Sequence, residues 1–195
     1  IAHRDIKPLN ILMTNTDCIK EITAKISDLG TVHTVETDNS EMHSCSGTES
    51  YMAPELLEAG KLKYGRRVDV YSLGLVNFVL LHSISGKPMT DNPIELIEDP
   101  SLNEKEANAL SVGYAINLRK NRPSERYLQV AAIKEADILV VQHLCHLINQ
   151  MTDTVPQHRP TATAVHENIH KLLLVRDKKM NIFHRVLHYQ LDIFH

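Results

Sequence analysis

Residues 3–10 read His-Arg-Asp-Ile-Lys-Pro-Leu-Asn, and no other stretch says as much about what this chain can be. Asp5 stands five residues before Asn10 on one short loop. Such a loop can accept a proton from an attacking hydroxyl and hold a metal ion through hard oxygen atoms. Lys7, two residues after Asp5, adds a cation where a phosphoryl group would bring negative charge.

The rest of the chain reads as one soluble globular domain. It has 195 residues, 43% hydrophobic and 23% charged, enough for a sizeable core. A net charge of −3, with acidic and basic residues interspersed, gives no reason to expect a nucleic-acid or anionic-membrane partner. The longest apolar run, residues 73–81, contains Gly74 and Asn77 and is too short to span a bilayer, so it reads as a buried helix. The first residue is Ile1, and no signal or transit peptide is read. Cys18, Cys45 and Cys145 are widely separated without a paired-ligand motif. Reduced thiols and a cytoplasmic setting are expected.

Residues 11–13 and 24–26 are short apolar-rich segments around a polar turn at 15–17, and they predict two strands of a hairpin. Residues 31–50 are rich in Thr, Ser, Asp, Glu and His with little apolar periodicity, which predicts one long exposed loop. Helices are predicted over 68–82, over 103–120 with Ala107, Leu110 and Ala115 on related faces, and over 133–151. A last helix is predicted over 161–174, opened by Pro160 and Thr161.

Four more short motifs follow the opening loop in order. They are Ser27-Asp28-Leu29-Gly30, then Gly47-Thr48 with Tyr51-Met52-Ala53-Pro54-Glu55, then Asp69-Val70-Tyr71-Ser72-Leu73-Gly74, then His158-Arg159-Pro160-Thr161. With residues 3–10, the ordered set resembles the C-terminal lobe of a protein kinase. The resemblance covers residues 1–174, with an activation segment at 28–55, and leaves a tail at 175–195. It implies a mainly α fold, with a small β-hairpin near the N-terminus and a bundle of helices. Residues 99–134 fit the family pattern poorly.

Matched position by position, the resemblance implies a serine/threonine kinase that uses ATP and magnesium on a protein substrate. Asp5 matches the base that receives the substrate hydroxyl proton, and Asn10 and Asp28 match the magnesium ligands. Lys7, followed by Pro8, matches the lysine that stabilises the transferring phosphate in serine/threonine kinases. Thr48 matches the threonine that bridges the base and that lysine. Leu12 matches the floor under the adenine ring. Glu55 and Arg159 match a buried ion pair, and Asp69 matches the helix residue that hydrogen-bonds the catalytic-loop backbone. His3 and Leu29 match members of an apolar stack, which makes His3 a packing residue and not a base. Arg4 matches the arginine that pairs with a phosphorylated activation-loop residue. Ser44, three residues before Gly47, is the expected site, with Thr37, Ser40 and Ser46 as competitors.

A complete kinase also has an N-terminal lobe with a Gly-rich loop, a strand lysine and a helix glutamate. No G-x-G-x-x-G occurs in residues 1–195. The expectation is a C-lobe fragment, inactive alone, whose missing N-lobe belongs to the same kinase. Two rival readings stand beside it. One is a non-catalytic, kinase-like interaction module. The other is a zinc metalloprotease, from the H-E-x-x-H spelled by His166, Glu167 and His170, with His184, His188 and His195 downstream. Against the protease, the stretch falls on the expected last kinase helix, and no Glu follows Glu167.

Overall fold

The computed structural model describes residues 1–14, 23–34, 46–57, 64–84, 93 and 135–174. The fold is mainly α with one small antiparallel sheet, as the sequence predicts. The predicted turn at 15–17, the predicted helix at 103–120, the tail at 175–195, Cys18, Cys45 and Ser44 lie outside the described residues.

The chain opens with a short 3-10 turn, Pro8–Asn10, whose first residue is a proline with φ already set for it. Strand β1 (Ile11–Thr14) then pairs with β2 (Thr23–Ile26) in the register Ile11↔Ile26 to Thr14↔Thr23. Ile11 and Ile26 pack against the core and Ala24 is fully buried, whereas Leu12 and Met13 face outward. At the foot of the hairpin the Ser27 N–H donates to the Asn10 carbonyl at 2.8 Å. Asn10 and Asp28 are thereby brought to the same end of the sheet.

After the one-turn helix α1 (Pro54–Leu57) comes α2 (Arg67–Ile84), the axis of the fold. Every residue from 71 to 79 is buried, which is the behaviour of a helix apolar on all sides. Ser72 accommodates its hydroxyl by reaching the carbonyls of Tyr51 and Val68 at 2.8 and 3.1 Å. Helix α3 (Glu135–Met151) lies across α2 and contributes Val141, Leu144, Leu147, Ile148 and Met151 to the core. The crossing is tight at Gly74, where a Cβ would come within 2.9 Å of Met151 Cβ and 2.8 Å of Thr152 Cγ2. This close approach accounts for a glycine in mid-helix despite its cost of about 1 kcal/mol relative to alanine. Helix α4 (Ala162–Leu174) starts where Thr161 Oγ1 accepts the Ala164 N–H at 3.1 Å, an N-cap set by the Pro160-Thr161 pair. Val165 and Ile169, four residues apart, are its fully buried face.

The stretch expected as a single loop over 31–50 carries regular structure at its two ends, and residues 35–45 lie outside the described residues. Leu29–Thr31 and Glu49–Tyr51 are 3-10 turns, and His33 pairs with Ala2 in an antiparallel bridge. A pairing of two residues has no periodicity to betray it. Among the described residues no helix is long and apolar enough to cross a membrane.

Candidate active site

The opening loop is pinned to the start of α2. Asp69, in the first turn of that helix, accepts the His3 N–H at 2.7 Å on one carboxylate oxygen and the Arg4 N–H at 2.8 Å on the other. Burial pushes the Asp69 carboxyl above its ordinary value, and the two backbone N–H groups pull it only part of the way back. The His3 ring is held at both nitrogens: Nε2 lies 3.0 Å from the Ser27 carbonyl, and Nδ1 accepts the Asp5 N–H at 3.3 Å. That pattern assigns the Nε2–H tautomer and makes the ring a spacer between the loop and Ser27, the residue that follows β2.

Four donors converge on Asp5. Oδ1 accepts from Thr48 N–H at 2.8 Å and from Thr48 Oγ1 at 2.7 Å. Oδ2 accepts from Asn10 Nδ2 at 2.9 Å and from Lys7 Nζ at 2.9 Å. The Lys7 ammonium also donates to Thr48 Oγ1 at 2.6 Å, which closes a ring of three side chains. Burial pushes the Asp5 carboxyl up, but the hydrogen bonds from Lys7 and Thr48 and the Lys7 charge outweigh it and hold it below its ordinary value. The carboxylate is ionised at neutral pH.

Asn10 is buried and spends its amide N–H groups on Asp5, on the carbonyl at 2.8 Å as well as the side chain. Its Oδ1 accepts no hydrogen bond among the described residues. Asp28 is exposed, in the left-handed region at φ 62° and ψ 70°, and among the described residues its Oδ1 receives only a long 3.4 Å bond from the Gly30 N–H. Arg4 shares the positive φ, at 70°. For non-glycine residues such conformations cost on the order of 1–3 kcal/mol and persist only where the surroundings over-determine them. Among the described residues, these two non-glycine outliers both flank the Asp5–Asn10 loop. Gly47 reaches φ 125° and could not be anything larger, because a Cβ would run into the Arg4 carbonyl. That close approach delivers Thr48 to Asp5.

Glu55, at the far end of the same segment, meets Arg159 from the turn before α4. The guanidinium is 1% exposed and donates from Nη1 to Oε1 at 2.6 Å and from Nη2 to Oε2 at 2.7 Å. Its Nε donates to the Asp153 carbonyl at 2.7 Å, and its face lies 4.8 Å from the Tyr71 ring centroid. The clamp therefore joins α1, α2 and the 152–159 turn.

Two apolar positions singled out from the sequence stand open. Leu12 is 55% exposed on β1, and Leu29 is 69% exposed beside Asp28. Arg4 is 8% exposed, its Nε donating to the Thr31 carbonyl at 2.6 Å and its Nη1 to the Tyr64 hydroxyl at 3.1 Å. Tyr64 is absent from the sequence reading, and a lone aromatic before a glycine gives little signal. Cys145 is buried, which pushes its thiol up to about 12 and makes it a core residue. His166 and His170 lie one turn apart on α4 with ring centroids 6.3 Å apart. Among the described residues no three His, Cys, Asp or Glu side chains are grouped to hold a metal ion, and His184, His188 and His195 lie outside those residues.

Comparison with known proteins gives a consistent answer. A family model described as the protein kinase domain matches residues 1–170. The chain is 30% identical over 163 residues to calcium-dependent protein kinase 31 of Arabidopsis thaliana, covering 83% of this chain and 27% of that protein. It is 28% identical over 179 residues to the receptor protein kinase WSS1 of Oryza sativa subsp. japonica, covering 82% of this chain and 18% of that protein. It is 43% identical over 82 residues to the ovarian-specific serine/threonine-protein kinase Lok of Drosophila melanogaster, covering 42% and 17%. The chain thus spans less than a third of the length of each of these relatives.

Proposed function

Because the chain belongs to the protein kinase family, we propose that its opening loop transfers the γ-phosphoryl group of magnesium-bound ATP to a serine or threonine hydroxyl of a protein substrate. The observation that carries this reading is the closed ring of Asp5, Lys7 and Thr48, with Asn10 as fourth donor. Asp5 is the acceptor of the substrate hydroxyl proton. A carboxylate offers about four lone-pair sites, and all four are engaged, so an incoming hydroxyl must displace a donor. Lys7 is the one suited to leave: it carries a flexible stem, and its charge is worth more against a phosphoryl group than against an already satisfied carboxylate. Departure of Lys7 also raises the basicity of Asp5 at the moment it takes the proton. The Lys7–Thr48 pair supports serine/threonine over tyrosine specificity.

Asn10 and Asp28 fit magnesium. Asn10 has its amide nitrogen committed and its Oδ1 remaining, Asp28 is an exposed carboxylate, and both are hard oxygen donors at one end of the sheet. Bound there, the ion would neutralise charge developing between the phosphates. Leu12 is assigned the floor under the adenine, with the rest of the nucleotide site supplied by an N-lobe. Glu55, Arg159, Asp69, His3 and Leu29 are assigned to hold the frame, and Arg4 to read a phosphate at or near Ser44. The lobe is assigned to residues 1–174, its activation segment to 28–55, and residues 175–195 to a tail. Residues 1–195 alone lack a Gly-rich phosphate loop and are expected to be inactive.

The test is phosphotransfer by the full-length protein from magnesium-ATP to peptide pools that differ only in Ser, Thr or Tyr as acceptor. Transfer to Ser and Thr, abolished by Asp5→Asn and reduced at least a hundredfold by Lys7→Ala, is the expected result. Turnover that survives Asp5→Asn, or that uses only Tyr, refutes the assignment.

A further inference from the structure

We infer that Tyr64 is a positioning residue for the opening loop: its phenolic oxygen holds the Arg4 guanidinium and, through Arg4, sets Asp5. The inference rests on the kinase reading and assigns a part to a residue that lies outside every motif in the chain.

Arg4 is where four segments meet. Its backbone N–H is taken by Asp69 at 2.8 Å, its Nε by the Thr31 carbonyl at 2.6 Å and its Nη1 by the Tyr64 hydroxyl at 3.1 Å. Its carbonyl forms the wall against which Gly47 packs. Tyr64 itself is 1% exposed and belongs to the core cluster around α2. It lies three residues before α2 begins, and Asp69 lies two residues after. One helix end therefore grips Arg4 twice, at the backbone through Asp69 and at the side chain through Tyr64.

The double grip meets a need. An arginine at φ 70° is strained, and its conformation lasts only while neighbours enforce it. A nearly buried guanidinium that loses an acceptor turns toward another, because an unsatisfied charged donor is costly. Asp5 is the next residue, and Thr48 reaches Asp5 only because Gly47 packs on the Arg4 carbonyl. A turn of Arg4 thus shifts the acceptor and one of its donors together. Phenylalanine at 64 keeps the ring and its burial and removes only the oxygen.

The experiment uses the full-length protein. Tyr64→Phe is expected to lower kcat about tenfold, the equivalent of one hydrogen bond to a charged group, with KM for ATP and for peptide unchanged. The double variant Arg4→Ala/Tyr64→Phe is expected to lose no more than Arg4→Ala alone. In parallel, the Arg4 Nε–H, nearly buried and bonded to the Thr31 carbonyl, is expected to be protected from solvent exchange in the parent and to exchange on the order of tenfold faster in Tyr64→Phe. Full kcat in Tyr64→Phe overturns the inference, as do losses that multiply in the double variant or an unchanged Arg4 exchange rate. Failure of the kinase reading looks different, as transfer indifferent to Asp5→Asn. In that event the exchange measurement still decides whether Tyr64 holds Arg4.

Discussion

Replacing Arg159 by alanine removes more than one interaction, and its cost can be worked from the contacts. The guanidinium makes two bonds to Glu55 at 2.6 and 2.7 Å, one to the Asp153 carbonyl at 2.7 Å and one to the Arg67 carbonyl at 3.1 Å. Removing one partner of a buried ion pair costs about 3–5 kcal/mol, because the other charge is left without compensation. Two effects pull within that range. Glu55 keeps 13% of its side-chain surface, so water can reach part of the abandoned carboxylate and the cost drops toward the lower end. The stranded carbonyls of Asp153 and Arg67 and the cavity beneath Tyr71 push it back up. A loss of about 4 kcal/mol is expected, a large fraction of the stability of an ordinary domain. In a melt of a chain this size that corresponds to a Tm lower by roughly 8–16 °C. The assay is urea unfolding followed by far-UV circular dichroism, with Arg159→Lys alongside. Lysine keeps the charge but not the fork, so it is expected to fall between alanine and the parent. A loss below about 1 kcal/mol for Arg159→Ala would refute the reasoning, since that is the scale of a surface pair.

Tyr71→Phe is expected to be neutral or stabilising by up to about 1–2 kcal/mol, because the buried Tyr71 hydroxyl has no hydrogen-bond partner among the described residues and burial pushes its phenol up. Destabilisation of more than 1 kcal/mol in the same urea assay would count against it. Asp5 has its carboxyl held below the ordinary value of 3.8, so its contribution to stability is full above that pH and is lost as pH falls through the lower, folded-state value. Between about pH 5 and pH 3 the parent is therefore expected to lose more stability than Asp5→Asn, and parallel losses would refute the claim. Asp69, shifted in the opposite direction, is common to both chains and cancels.

What the sequence made legible divides along physical lines. Helix α2 could be read because nothing but burial explains apolar residues on every side of it, and α4 because Pro160 and Thr161 mark its start. The hairpin showed as two short apolar-rich segments around a polar turn. The Ala2–His33 bridge and the 3-10 turns at 29–31 and 49–51 are backbone events that no side-chain pattern encodes. The site divides the same way. Asp5, Lys7 and Asn10 lie within six residues and announce their chemistry together. Thr48 is 43 residues from Asp5, and Arg159 is 104 from Glu55, so spacing could not join them and only resemblance to a family did. The handedness of Arg4 had no local cue, since arginine has no preference for positive φ. Tyr64 escaped for a related reason: what it does depends on where the Arg4 side chain goes.

The distance between Glu55 and Arg159 also orders events during synthesis. A ribosome adding roughly 5–20 residues per second needs about 5–20 s to travel from one to the other. Through that interval Glu55 waits without its guanidinium, and α2 emerges before the α3 residues that cover Gly74. The bond that joins the Glu55 end of the Thr48 segment to the turn before α4 can form only when residue 159 arrives, 104 residues after Glu55. Nascent chains stopped short of residue 135 would lack α3 and expose the α2 face it covers, the kind of apolar surface on which chaperones and proteases act. The clamp therefore also sets an order: the Glu55–Arg159 bond closes only after α2 and α3 have been made.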